Sequence, residues 1–413
     1  MKKLKILYIT PFYPFPPNDG GKIVIYNRIK HLALLGHEIY LYSLIWAKDK
    51  QRLRENDVVE MKRYCKEVHI SAYEYSKPLK IAKALLASVV KADTLKNLTI
   101  PEEFKHELQA AVQSQHFDFG IVEFTYFGVW VKKILQDRIK LVLSIHNIDS
   151  QFYREIARAE QNIVRKIYLY YESILAKRME LAPFFKKEYD LFMFLSDVES
   201  EYIIQKVPDV RDRFVSFPFG LFDKETYAGA PVKKNGKLIL FTGALNMGTN
   251  IKGVKWFLKE VMPAVRSKVP DAVFYAVGSN PSPELIRLQD EYTDFKIFAN
   301  VDKIEPYMSA ADLFVIPLLG GVGLKIKLFD ALSARKLIVT TKSGVIGTDF
   351  KDGDLLFVAD TPENFAERCI TLLLNKEKYE KSFISRIDKL YEKRAWPSIT
   401  ARVINEIMAK LGL

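Results

Sequence analysis

Three side chains in one short stretch have the types and spacing that an organic diphosphate asks for. Lys325, Lys327 and Asp330 follow the glycine-rich turn at Gly320, Gly321 and Gly323. An apolar run, Leu313 to Pro317, precedes the turn and is long enough for a buried strand. After it, Leu324, Leu328 and Leu332 recur at helical spacing over Leu324 to Arg335, and a second apolar strand runs from Leu337 to Thr341. Strand, glycine turn, helix and strand make a βαβ unit. The turn exposes backbone N–H groups at a helix start, where an anion is favoured. A lysine there offsets phosphate charge, and a carboxylate one helical turn on can accept both hydroxyls of a ribose. Lys327 and Asp330 share a helix face at this spacing. The same spacing also describes a solvated Lys–Asp pair worth little, and spacing alone leaves the two readings even.

Three further positions carry candidate chemistry. Gly20 and Gly21 lie between a strand at Leu4 to Thr10 and a helix predicted from about Ile23 to Leu35. They read either as a tight turn or as a backbone approach to phosphate. His146 follows the apolar strand Leu141 to Ile145 at its carboxyl end, the end that faces the ligand in open parallel sheets. Lys252 stands in a Lys-Gly pair that the pattern places just before a helix bearing Trp256 and Phe257. A pair of acids at Asp352-Gly353-Asp354 has the form of a metal-binding triplet. It lies in a loop far along from the lysines, however, and reads as a turn, with no metal.

The elements that position these residues fall into two runs. Strands and helices alternate from residue 1 to about 220, and a polar stretch with Gly229, Pro231 and two lysines reads as a linker over 221–236. The alternation restarts at Lys237 and continues to 395, and Trp396-Pro397 opens a last helix, 396–413. Such alternation predicts an α/β chain of two Rossmann-like parallel-sheet domains. No apolar run reaches the roughly 18 residues of a membrane span. The two cysteines, Cys65 and Cys369, suit the cytoplasm better than a disulfide framework. A net charge of +12 fits an anionic partner: nucleotide, lipid headgroup or nucleic acid. Nucleic acid is disfavoured, because the basic residues are spread and no binding motif is present. Lys77 to Leu98 is a basic amphipathic segment suited either to an anionic membrane surface or to packing on its own domain.

With these residues set out, the chain resembles the family-4 glycosyltransferases of the GT-B fold over nearly its whole length. The most specific part is Gly320 to Thr341, GGVGLKIKLFDALSARKLIVTT, joined by Asn300 to Leu318, by TGALN at Thr242, by the Asn250 to Phe257 stretch and by SIHNIDSQFY at Ser144. The resemblance implies two Rossmann-like domains facing across a cleft, an acceptor-side domain over 1–220, a donor-side domain over 237–395, and a last helix crossing back to the first. It implies a hexosyltransferase-type enzyme moving a sugar from a nucleotide-diphosphate donor to a glycan or lipid-linked acceptor in surface polysaccharide or glycoconjugate synthesis. The transfer would be retaining and metal-independent, with no cofactor beyond the donor. Such work would be done in the cytoplasm or peripherally at the inner face of the plasma membrane. By the same likeness His146 and Lys327 are catalytic, and Gly20, Gly21, Lys252, Gly321, Gly323, Lys325, Lys327 and Asp330 bind the donor. The family's paired acids fall on Val322 and Asp330, and its arginine after the TGAL glycine falls on Ala244. A UDP-N-acetylhexosamine 2-epimerase and a non-catalytic nucleotide-sugar-binding protein remain open. A plain dehydrogenase is disfavoured, since neither half carries G-x-G-x-x-G after its first strand.

Overall fold

The computed structural model describes residues 2–73, 100–160, 162–227, 229–321 and 323–413. The basic segment Lys77 to Leu98 lies outside the described residues. The chain divides into two compact units, one of residues 1–218 with 396–413 and one of 219–395.

The first unit is built on a seven-stranded sheet of order β3-β2-β1-β4-β5-β6-β7. Its strands are β1 (Lys5–Thr10), β2 (Glu38–Trp46), β3 (Glu67–Tyr73), β4 (Phe119–Glu123), β5 (Leu141–Ile145), β6 (Leu191–Phe194) and β7 (Phe214–Ser216). Every pairing is parallel. Parallel strands covered on both faces are largely apolar, and β4, β5 and β6 are buried at every position, with Glu123 and Ser144 as the polar exceptions. The strand order reverses between β1 and β4, which leaves a crevice at their carboxyl ends. The helix Gly20–Leu34 starts there, with the Asp19 carboxylate accepting from Lys22 N at 3.0 Å. The helix predicted from Ile23 thus begins at the glycines, because Asp19 caps it. The terminal helix Trp396–Leu411 packs in this unit: Trp396 lies parallel to the His31 ring at 6.4 Å, and Lys410 donates to Phe214 O at 2.6 Å.

The second unit repeats the plan with a six-stranded parallel sheet, β10-β9-β8-β11-β12-β13. These are β8 (Lys237–Thr242), β9 (Ala272–Gly278), β10 (Phe295–Ala299), β11 (Leu313–Ile316), β12 (Ile338–Thr340) and β13 (Phe357–Val358). Here the order reverses between β8 and β11. The polar stretch read as a linker, 221–236, is pinned to this unit. Phe222 N donates to Ser333 Oγ at 3.0 Å, Val232 N donates to Pro306 O at 3.2 Å, and Tyr227 is buried. Its composition is that of a loop, but its backbone donors and one tyrosine have partners in the second unit.

No helix among the described residues is long and apolar enough to cross a membrane. The Asp352-Gly353-Asp354 triplet forms a turn. Gly353 has φ of +79° and donates to Leu356 O at 2.9 Å, while Asp352 approaches Arg368 at 3.5 Å and Asp354 approaches Arg386 at 3.9 Å.

Candidate functional site

In the second unit the candidate residues gather at the reversal point of the sheet. The helix after β11 is Ile326–Ser333, shorter than the periodicity predicts, and Lys325 is its N-cap. Gly321 and Gly323 have φ of +110° and +75°, which fold the turn back so that Lys325 Nζ donates to Gly323 O at 2.6 Å. Lys327 points toward the end of β8. Its Nζ donates to Asn250 Oδ1 at 3.0 Å and lies 3.9 Å from the centre of the Phe241 ring. Gly243, with φ of +149°, makes the room: a Cβ there would lie 2.7 Å from that Nζ. Removal from solvent, helped by Lys325 and opposed by Asp330, pulls the Lys327 ammonium down to about 7. Asp330 accepts a hydrogen bond from the Tyr227 hydroxyl at 3.0 Å. Burial pushes its carboxyl up to about 6; the Tyr227 bond and Lys327 oppose this and Glu305 adds to it. The site thus holds a cation and a carboxylate, each poorly solvated and each titrating near neutrality, which is the state in which a charged ligand gains most.

Lys252 lies on the helix that supplies Asn250 to this cluster. The Lys-Gly pair lies inside the helix Gly248–Trp256 rather than before it, and Lys252 is exposed there. Gly253 packs against the end of β11, where a Cβ would lie 2.5 Å from Pro317 O. The residue of this helix that reaches Lys327 is Asn250, which is buried and also donates to Ala244 O at 2.8 Å. Neither Asn250 nor Tyr227 was expected from the sequence. A tyrosine in a polar loop and an asparagine near a helix start carry no signal of a shared partner.

In the first unit the reversal point holds a second cluster. His146 is buried, and its Nε2 lies 2.7 Å from Glu123 Oε2. Glu123 ends β4 in full burial, where its Oε1 accepts from the Tyr8 hydroxyl. Arg28, also fully buried, places Nη1 3.4 Å from Glu123 and 2.7 Å from Ser144 Oγ, and Nη2 3.2 Å from Phe217 O. Its guanidinium also lies 4.4 Å from the Phe217 ring centre. Burial alone would raise the Glu123 carboxyl, but Arg28 and then His146 outweigh it and hold the group at about 2. An ionised carboxylate only accepts, so His146 Nε2 carries the proton. Phe124, at φ +68°, a costly conformation for an aromatic residue, stacks on His146 at 4.1 Å. Gly21 borders the same aromatics: a Cβ there would lie 3.0 Å from Phe12 and 3.2 Å from Phe124. Gly20 is the first residue of the adjoining helix. Arg28 had a readable sign, since it shares a helical face with apolar Ile25, Ile29 and Leu32.

A cavity of about 650 Å³ lies at the other end of this sheet, lined by Phe117, Asp118, Arg138, Lys140 and Leu413 among others, and holds none of these residues.

Residues 236–375 match the family described as Glycosyl transferases group 1. Over 384 residues, covering 90% of the chain and 91% of the relative, the protein is 26% identical to an uncharacterized 44.6 kDa protein in the cps region of Klebsiella pneumoniae. Among solved structures it is similar to sucrose-phosphate synthase from Thermosynechococcus elongatus, with TM-score 0.67, 14% identity and 99% of each chain covered. It is also similar to WaaG, a glycosyltransferase involved in lipopolysaccharide biosynthesis (TM-score 0.60, 14% identity, 96% and 98% covered). Anabaena HepE in complex with UDP is a third such structure, at TM-score 0.61 and 14% identity over 98% and 100%. At these identities the structural similarities show the fold, a two-domain Rossmann-like GT-B fold. Together with the match in the second unit they support a GT-B glycosyltransferase.

Proposed function

We propose that the protein transfers a sugar from a nucleotide-diphosphate donor to a glycan or lipid-linked acceptor in polysaccharide or lipopolysaccharide-type synthesis. The observation that carries this is the grouping of Lys325, Lys327 and Asp330 at the reversal point of a sheet whose residues match a glycosyl transferase family. The diphosphate sits on the turn at Gly321 and Gly323, with Lys327 and Lys325 offsetting its charge as the bond to the sugar breaks. Asp330 accepts from the ribose hydroxyls, for which the Tyr227 bond pre-orients it. In the first unit Glu123 holds His146 in place with its proton on Nε2. The relative in a cps region, WaaG, and the UDP complex of HepE support this class of donor and product.

The test is a screen of labelled nucleotide sugars for binding and for slow hydrolysis, starting with UDP-sugars. Binding with release of nucleotide supports transfer. Release of an epimerised sugar without any acceptor would replace it with an epimerase, and binding without turnover would leave a sugar-nucleotide binding protein. The resemblance to family 4 makes the transfer retaining, and Lys325 and Lys327 offset the phosphate charge without a metal. Activity should therefore survive EDTA, and loss restored by Mn²⁺ or Mg²⁺ would show otherwise.

Asp330→Asn is expected to weaken UDP binding by about 1.5–3 kcal/mol, the scale of a hydrogen bond to a charged group. Calorimetry with UDP and its 2′,3′-dideoxy analogue checks this. Equal affinity of the unaltered protein for the two would remove Asp330 from the ribose.

A further inference from the structure

The ammonium of Lys327 is held by neutral groups. Asn250 Oδ1 accepts from its Nζ at 3.0 Å, and the Phe241 ring centre lies 3.9 Å from the same Nζ. Phe241 is fully buried in β8 and Asn250 is buried in the helix that follows, so both partners are fixed in place. The Asn250 amide has one orientation. Its Nδ2 donates to Ala244 O at 2.8 Å, which leaves Oδ1 to face the lysine. Gly243 admits both side chains: a Cβ there would lie 3.0 Å from Asn250 Nδ2 and 2.7 Å from Lys327 Nζ.

Neutral partners have a consequence for charge. An amide oxygen and a ring face favour the protonated lysine without cancelling it. A carboxylate in their place would also favour the proton, but it would neutralise the cation and repel a phosphate. The neighbouring charges do not supply that compensation. Lys325 opposes protonation of Lys327 and Asp330 favours it, yet Asp330 is engaged with Tyr227. On the helix of Asn250, Lys255 pairs with Glu284 and Lys252 is exposed. Burial already draws Lys327 down to about 7, so loss of a neutral partner would leave little of the cation at neutral pH.

We infer that Asn250 and Phe241 are positioning residues that hold Lys327 charged but uncompensated for the leaving diphosphate of the donor, a purpose that rests on the nucleotide-sugar reading of the site. The test follows two quantities in the full chain. One is the titration of Lys327, read by NMR of lysine carrying carbon-13 at Cε and assigned by the signal missing from Lys327→Ala. The other is UDP affinity by calorimetry at each pH. Asn250→Leu should lower the Lys327 midpoint by about one pH unit and Phe241→Leu by about half a unit, whereas Asn250→Asp should raise it by about one unit. Against the unaltered chain at the same pH, Asn250→Leu should bind UDP about fivefold more weakly at pH 7 but only about twofold at pH 6, where the lysine is charged again. Asn250→Asp should bind about tenfold more weakly at both, because its charged lysine is cancelled. Phe241→Leu leaves the Asn250 contacts in place and carries the test if a variant at 250 does not fold. Unmoved midpoints in the folded variants would make both contacts structural and overturn the inference, as would tighter UDP binding by Asn250→Asp. Failure of the unaltered chain to bind UDP or another nucleoside diphosphate would remove the nucleotide-sugar reading, and the midpoints would still decide whether the two partners hold the cation.

Discussion

Replacing Lys327 by alanine is expected to lower kcat for the active donor by about two to three orders of magnitude, the usual scale for one preorganised group that stabilises developing charge. The side chain is half-buried and rests on Phe241 and Asn250. Its loss removes a poorly solvated cation rather than a core group, so the fold should persist. The pH dependence gives a second, independent readout. Lys327 is a cation below about 7, and Asp330 is an anion above about 6. A diphosphate needs the first and a ribose needs the second. Nucleotide affinity should therefore peak between these values, falling on the alkaline side as Lys327 loses its proton and on the acid side as Asp330 gains one. Titrations this close belong to the pair as a whole. Lys327→Ala should flatten the alkaline limb, and Asp330→Asn should flatten the acid limb. A kcat/KM unchanged in Lys327→Ala, or an alkaline limb that survives it, would take the lysine out of the phosphate site.

Removing Arg28 is expected to produce the largest loss of stability. Arg28 and Glu123 are both fully buried, and stripping one partner leaves the other charge without compensation in a dry interior, a cost of about 3–5 kcal/mol. Arg28→Met should lower the unfolding midpoint of the first unit by roughly 10 °C. Glu123 is held at about 2, below an ordinary carboxylate, so it stabilises the fold above the unfolded value. That contribution fades as pH falls from about 4.5 toward about 2. Arg28→Met should erase this part of the acid sensitivity. Combining it with Glu123→Leu should restore part of the stability, since neither charge is then stranded. Turnover should not return, because His146 has lost the carboxylate that fixes its proton on Nε2. Calorimetric melts across pH, set beside donor turnover, check both halves. Equal turnover in the double variant and the unaltered chain would make Glu123 structural only.

The two sheets were legible in the chain because parallel strands covered on both faces are largely apolar runs, and Leu4 to Thr10, Leu141 to Ile145, Lys237 to Thr242 and Leu313 to Pro317 are such runs. The turn at Gly320 to Gly323 was legible too, because positive φ demands glycine, and so was the lysine pair that follows it. Helix starts were less so. Asp19 moved one to the glycines, and the helix expected after Lys252-Gly253 begins at Gly248 and contains the pair. What only the tertiary structure decided is which polar side chains meet. Glu123 gathers Arg28 from 95 residues away and Tyr8 from 115, and Asp330 takes Tyr227 from 103. No local period links residues so far apart. Strand order brings them together, because a reversal between neighbouring parallel strands leaves a crevice at their carboxyl ends, where side chains from distant segments meet.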